Sequence, residues 1–293
     1  MDEQQPIFHI AEQRAWEQSL VLGRYEAPSL AREGFIHCST QAQVVETANR
    51  YYRGRTDLCL FVLDPAQLRV PLRYEPPVSP AGEAASRAAE GLFPHVYGSI
   101  EPTSLARVLA FEPGPDGGFV LPEWEERVTT DEARKPSENL LQGDPRVQAY
   151  WGEFCRARGV AADTPYQAYY FGDAPELANE LVELVATGDK RATTTLLWSV
   201  ERYPALAPVA HGYAVLTEHD RTPRAVVRTR SIEVRAFDEV DAQYAWEEGE
   251  GDRALATWRA DHWEFFSREC ALLDRAPRPD MRVILERFEL LFA

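Results

Sequence analysis

Residues 129–138, T-T-D-E-A-R-K-P-S-E, carry no apolar periodicity. A segment with no face to bury cannot sit inside a core, so it reads as a linker. The 293 residues are enough for two domains of typical size. The chain is therefore expected to build two cores, over residues 1–122 and 144–293, joined by a linker over 123–143. No internal repeat relates the halves.

Composition bounds the partners. With 45% hydrophobic and 27% charged residues the chain is expected to fold. It has no run of 18 apolar residues, so no membrane-spanning helix is expected. The start M-D-E-Q-Q lacks the basic and apolar regions of a secretory signal. Cys38, Cys59, Cys155 and Cys270 are scattered, without zinc-ligand spacing. A reduced cytoplasmic setting and no bound metal are the expectation. Net charge is −16, and it is shared: residues 148–293 hold 17 Arg/Lys against 25 Asp/Glu, the remainder 14 against 22. Bulk binding of duplex DNA is excluded on this ground. A nucleic-acid partner would be small, single-stranded or held by a local basic pocket.

In the first half, strands are predicted at residues 7–10, 34–38, 58–63, 72–75 and 95–100, with a last one at 119–121. A helix follows Thr40, whose capping-box partner is Gln43. These elements make an α+β domain. The order F-H-I, G-x-Y, E-G-F-I-H-C-S-T, L-D-P, L-R-Y-E and F-P-H-V-Y-G resembles the DUF952 family from residue 6 to about 112. The resemblance implies an ADP-ribosyltransferase-like fold that binds NAD between two small sheets. It implies a cleft near His9, His37, Ser39, Tyr52 and His95, with Glu75 as the candidate carboxylate.

In the second half, a helix is predicted over residues 147–155. Another is predicted after Asp173, with Leu177, Leu181, Leu184 and Val185 on one face and Gly188 as its stop. Lys190 emerges just past that helix. It is one of two lysines beside 29 arginines, and Thr193, Thr194 and Thr195 follow it. An amine can be deprotonated near neutral pH when desolvated, which a guanidinium cannot. The helix dipole works the other way and favours the cation. Strands at 212–217, 225–230, 231–237 and 283–289 suggest a small β-barrel. Arg228 and Arg230 share a strand face and are candidate phosphate contacts. A long helix carries Trp258, Arg259, His262 and Phe266. Glu247 and Glu250 read as a solvated acidic loop.

The set F-G-D, V-x-x-G-x-K-x-A-T, F-D-E-V, E-G-E-G-D and W-R-x-x-H-x-x-F-F resembles the ASCH domain over roughly residues 148–292. The resemblance implies a PUA-like barrel with flanking helices that binds RNA or modified nucleosides, without a cofactor. In its amidohydrolase members, which act on N4-acetylcytidine, a Lys, a Thr three positions on and a later Glu do the work. Those positions fall on Lys190, Thr193 and Glu248. Thr193 would be the nucleophile, Lys190 its activator, and Glu248 a proton carrier or the partner of Lys190. Arg191, Thr194, Thr195, Trp198, Arg228, Arg230, Arg259 and His262 are the candidate substrate contacts. The domain is longer than the small amidohydrolases, and Thr194 and Thr195 replace bulky and basic residues. A single-strand ribonuclease with His262 as acid–base, or an RNA-binding module using Trp198 and Tyr203, stays open.

Overall fold

The computed structural model describes residues 5–77, 91–124 and 141–293. The chain divides into two compact units, Met1–Thr129 with Glu201–Ala207, and Thr130–Val200 with Pro208–Ala293. Most of the expected linker lies outside the described residues. No described helix is long and apolar enough to cross a membrane.

The first unit runs β1 (Ile7–Glu12), α1 (Gln13–Leu22), α2 (Pro28–Glu33), β2 (Ile36–His37), β3 (Ser39–Thr40) and α3 (Gln41–Tyr51). It continues with β4 (Leu58–Leu63), β5 (Leu72–Glu75), β6 (Phe93–Val96) and β7 (Leu105–Ala110). One sheet has the order β3-β1-β4-β7 and a second the order β2-β6-β5. β4 is buried at all six positions because both its faces are covered. Leu58, Leu60 and Val62 meet Val44 and Ala48 of α3, while Phe61 packs against Trp16, Tyr25 and His9. Each such side chain contributes roughly 1.5–3 kcal/mol. The Thr40 N–H donates to Gln43 Oε1 at 3.0 Å, as the capping box predicts. Two expectations shift. The strand predicted over 95–100 ends at Val96, and Ile100 makes only an isolated bridge to Tyr25. Phe119 is not in a strand: Asn49 Oδ1 accepts from its N–H and Asn49 Nδ2 donates to its carbonyl, supplying what a strand partner would.

The second unit runs α4 (Pro145–Arg158), β8 (Tyr166–Tyr169), α5 (Pro175–Ala186), β9 (Ala192–Leu196), α6 (Leu197–Arg202, of which Glu201 and Arg202 count with the first unit), β10 (Tyr213–Thr217) and β11 (Pro223–Ala236). α7 (Ala242–Glu248), α8 (Leu255–Leu272) and β12 (Arg282–Phe292) complete it. Its five-stranded sheet has the order β8-β10-β11-β12-β9. The closed barrel expected from the sequence is not found: no ladder joins β8 to β9 among the described residues, and the sheet is open. α5, which connects those two edges, packs Leu181, Val182 and Val185 on Ala214, Leu216 and Val227 of the sheet. The two strands predicted over 225–237 are one, with a register shift between Thr229 and Ser231. α5 starts at Pro175, not from an Asp173 cap. Proline fixes φ and has no N–H to satisfy, and the Asp173 carboxylate pairs instead with Arg268.

His9 is buried, with Nδ1 2.7 Å from the His37 carbonyl and Nε2 2.7 Å from the Tyr25 hydroxyl. Desolvation lowers its pKa to about 4. Between pH 6.5 and 4 the unfolded chain therefore takes up a proton that the folded one refuses. The stability His9 contributes is complete above pH 6.5 and is lost as pH falls towards 4, by up to about 3 kcal/mol. Urea unfolding of the full chain should show a shallower acid limb for His9→Gln. Equal acid limbs for the two proteins would contradict this.

Candidate active site

Lys190 is placed by the end of α5. Gly188 adopts φ 80, and the N–H groups of Asp189 and Lys190 both donate to the Leu184 carbonyl at 2.9 Å. The next residue is pinned on two sides: the Arg191 N–H donates to the Glu247 carbonyl, and its carbonyl accepts from the Phe288 N–H. α7 ends at Gly249 with φ 75. A Cβ there would lie 2.3 Å from the Asp189 carbonyl oxygen and 3.0 Å from Lys190 Cα. That close approach lets the carboxylates on both sides of the glycine reach one ammonium. Lys190 Nζ lies 2.5 Å from Glu250 Oε1 and 3.4 Å from Glu248 Oε2. The Thr194 hydroxyl donates to Glu248 Oε1. His262 Nε2 lies 3.3 Å from Glu248 Oε2. The His262 ring is aimed by a 3.0 Å bond from Nδ1 to the Trp258 carbonyl and by stacking on Trp258. Phe171 closes the group, its ring 5.3 Å from Nζ.

Lys190 and Glu248 are each 1% exposed, so charge has to be balanced inside. Burial works against the Lys190 ammonium, but the charges of Glu250 and Glu248 and their hydrogen bonds outweigh it and hold its pKa above the ordinary value. Burial likewise opposes the Glu248 carboxylate, and His262, Lys190 and Thr194 together pull its pKa down. His262 is held up by Glu248 against its own desolvation. The Lys190 ammonium lies between Glu248 and Glu250, and His262 reaches Glu248 from α8. The two carboxylates thus favour the ammonium over the free amine that an activating base needs, since a protonated amine has no lone pair to take a proton.

The carried-over threonine stands differently from its neighbour. Side chains alternate along β9, so Thr193 and Thr195 lie on the face opposite Thr194. It is Thr194 that bonds Glu248, while Thr193 is paired with Glu286 and Thr195 with Ile284 across the β9–β12 ladder. Glu250, read as solvated, is in the cluster. Its only trace in the sequence is the E-G-E spacing about Gly249. Other candidate contacts are engaged elsewhere. Arg259 donates to the Asp238 and Val240 carbonyls. Arg230 pairs with Glu289, and Arg228 lies over Tyr213. Trp198 lies under Arg275 and Arg278. Arg191 lies over the exposed Trp246, 5.0 Å from the ring centre, with Arg253 at 5.5 Å. One ligand atom each from Glu248, Glu250 and His262 falls within 4.8 Å of the others, a set that could hold a metal ion. Both of those carboxylates are bonded by the Lys190 ammonium.

In the first unit, His37, His95 and Glu75 do meet. The His37 and His95 rings are 5.3 Å apart, His95 Nδ1 lies 2.9 Å from Glu75 Oε2, and the Tyr97 hydroxyl donates to the same oxygen at 2.6 Å. His95 is stacked on Phe35. Ser39 instead donates to Thr47, and Tyr52 packs on the α3 core.

The glycine contact is testable. Gly188→Ala, with nothing within 4 Å of the new Cβ, should cost only the left-handed backbone penalty, about 1–2 kcal/mol. Gly249→Ala must also push α7 off the Asp189 carbonyl, and should cost on the order of 3 kcal/mol. Equal losses by denaturant unfolding would contradict the tight approach.

The model of the ASCH domain family matches residues 167–291, and that of a protein of unknown function, DUF952, matches residues 10–109. A search among curated proteins finds no match. Among solved structures, the chain is 30% identical to the ASCH domain from Lactobacillus crispatus, with a TM-score of 0.49 over 53% of this chain and 99% of that one. It is 28% identical to protein EF3133 from Enterococcus faecalis, of DUF984, with a TM-score of 0.45 over 50% and 87%. Protein CC0527 from Caulobacter crescentus is 27% identical, with a TM-score of 0.33 over 39% and 93%. The chain thus joins a DUF952 segment to an ASCH domain, and the Lys190 cluster belongs to the ASCH part.

Proposed function

We propose that the ASCH domain hydrolyses the exocyclic amide of an N4-acylated cytidine, with Thr193 as nucleophile. ASCH domains are associated with RNA binding, which supports an RNA or nucleoside substrate. What supports the reaction is the ammonium of Lys190, buried and fixed by two carboxylates, at the foot of a strand that opens A-T-T-T. A fixed cation in a dry site stabilises the oxyanion that develops on an amide carbonyl under attack. Glu248 and Glu250 orient that cation, and Thr194 anchors Glu248. Lys190 thus serves as electrostatic stabiliser. The exposed Trp246 with Arg191 and Arg253 offers a base-stacking and phosphate-binding edge beside it. For the first unit, the reading is an NAD site in an ADP-ribosyltransferase-like fold. Its support is the His37–His95–Glu75 group. Calorimetric titration of the full chain with NAD tests it, and no heat at millimolar ligand would remove it.

Incubation of the full chain with N4-acetylcytidine should release cytidine and acetate. Thr193→Ala should abolish release, and Lys190→Met should lower kcat/KM by about 100-fold or more. Absence of release by the folded wild-type protein would reject the reaction.

A further inference from the structure

One stripe of α8 runs Trp258, His262, Phe266 and Cys270, four residues apart. Trp258, Phe266 and Cys270 belong to the apolar core. His262 is the polar member, and its side chain is only 11% exposed. An apolar ring would fill that place without the cost of desolvation. Both nitrogens of the imidazole face acceptors. Nδ1 is bonded to the Trp258 carbonyl at 3.0 Å, and Nε2 lies 3.3 Å from Glu248 Oε2. A carbonyl and a carboxylate offer only lone pairs, so both nitrogens carry protons. Stacking on Trp258, with ring centres 4.3 Å apart, and the edge of Phe266 at 5.6 Å hold the ring in that orientation. Glu248 Oε2 is also the oxygen that Lys190 reaches, at 3.4 Å, while Oε1 takes the Thr194 hydroxyl. The carboxylate is thus held from β9, from the segment after α5 and from α8.

We propose that His262 is a positioning residue of the amide hydrolysis: it fixes the plane of the Glu248 carboxylate and, through it, the place of the Lys190 nitrogen. The proposal rests on the hydrolytic reading above. Thr194 anchors one oxygen of Glu248. The last torsion of a glutamate side chain is broad, so one anchor leaves the other oxygen free to swing. His262 is the second anchor, and it acts on the oxygen that faces Lys190. Stabilising an oxyanion and taking a proton both require that nitrogen in one place. A misplacement of 1 Å costs on the order of 100-fold in rate. Supporting groups of this kind turn a site that is merely present into one that is preorganised. The charge balance agrees with the geometry. Burial opposes a protonated ring, but the charge of Glu248 and the contact with it raise the His262 pKa above its ordinary value. The other charged groups that the ring senses are Glu250, just past α7, and Lys190, just past α5.

The test compares the full chain with its His262→Phe and His262→Gln variants on N4-acetylcytidine. Phenylalanine keeps a ring against Trp258 and removes the contact with Glu248. Glutamine restores an N–H near the place of Nε2. His262→Phe should lose about 30-fold or more in kcat, with KM changed by less than about 3-fold. His262→Gln should recover about 10-fold of that loss, which a role in packing alone would not produce. Wild-type kcat in folded His262→Phe, or equal losses in the two variants, overturns the role of His262 and leaves the hydrolysis standing. No release by the wild type overturns both. Should His262→Phe fail to fold, nitrogen NMR of the 15N-histidine-labelled wild type decides, with the His262 signals identified by their loss in His262→Gln. Both ring nitrogens should be protonated at pH 6.5, the ordinary midpoint of a histidine. One bare nitrogen there would leave Glu248 without its second anchor and overturn the role on its own.

Discussion

One ammonium held by two carboxylates inside the second unit fixes the rest of its geometry. Desolvating three charges is expensive, and their attraction offsets that cost only when the partners are placed well. Here the placement is distributed. The last turn of α5 delivers Lys190, the glycine at the end of α7 admits both acids, and α8 contributes His262. Removing any one partner leaves an unpaired buried charge, which is costlier than the pair itself is stabilising. The cluster therefore ties the ends of α5 and α7 and the middle of α8 to one sheet edge. It does so through position more than through net stability.

β9 divides two chemical environments. On the Thr194 side the hydroxyl is committed to holding Glu248, and Glu248 and Glu250 both bond the Lys190 ammonium. On the Thr193 side the facing carboxyl has a hydroxyl for a partner and no cation.

Some of this was legible in the sequence. The capping box at Thr40, the apolar run of β4 and the stop at Gly188 are local signals, and the structure carries them. The K-x-x-T motif and the later Glu of the family pattern located Lys190 and Glu248 through family resemblance. What stayed hidden depends on contacts distant in sequence. Glu250 looks solvated until the Gly249 approach is known, since a run of acids is normally a wet surface. Glu286 is one of four charged residues in β12, and only the ladder register pairs it with Thr193. Strand β8 was missed because Y-Q-A-Y is short and has no clean alternation. Barrel closure was overcalled, because strand patterns report pairing and not whether the last edge meets the first.

The charge state of Lys190 is the claim on which the chemistry depends, and this chain makes it measurable. It has only two lysines, Lys135 and Lys190. Labelling lysine with 15N and replacing Lys135 by Arg leaves one side-chain amine signal to follow with pH. The Lys190 nitrogen should keep its ammonium shift beyond pH 10.5, with slow proton exchange, because Glu250 and Glu248 hold the charge against burial. A titration to the neutral amine near pH 8 would contradict the account and return Lys190 to the role of a base.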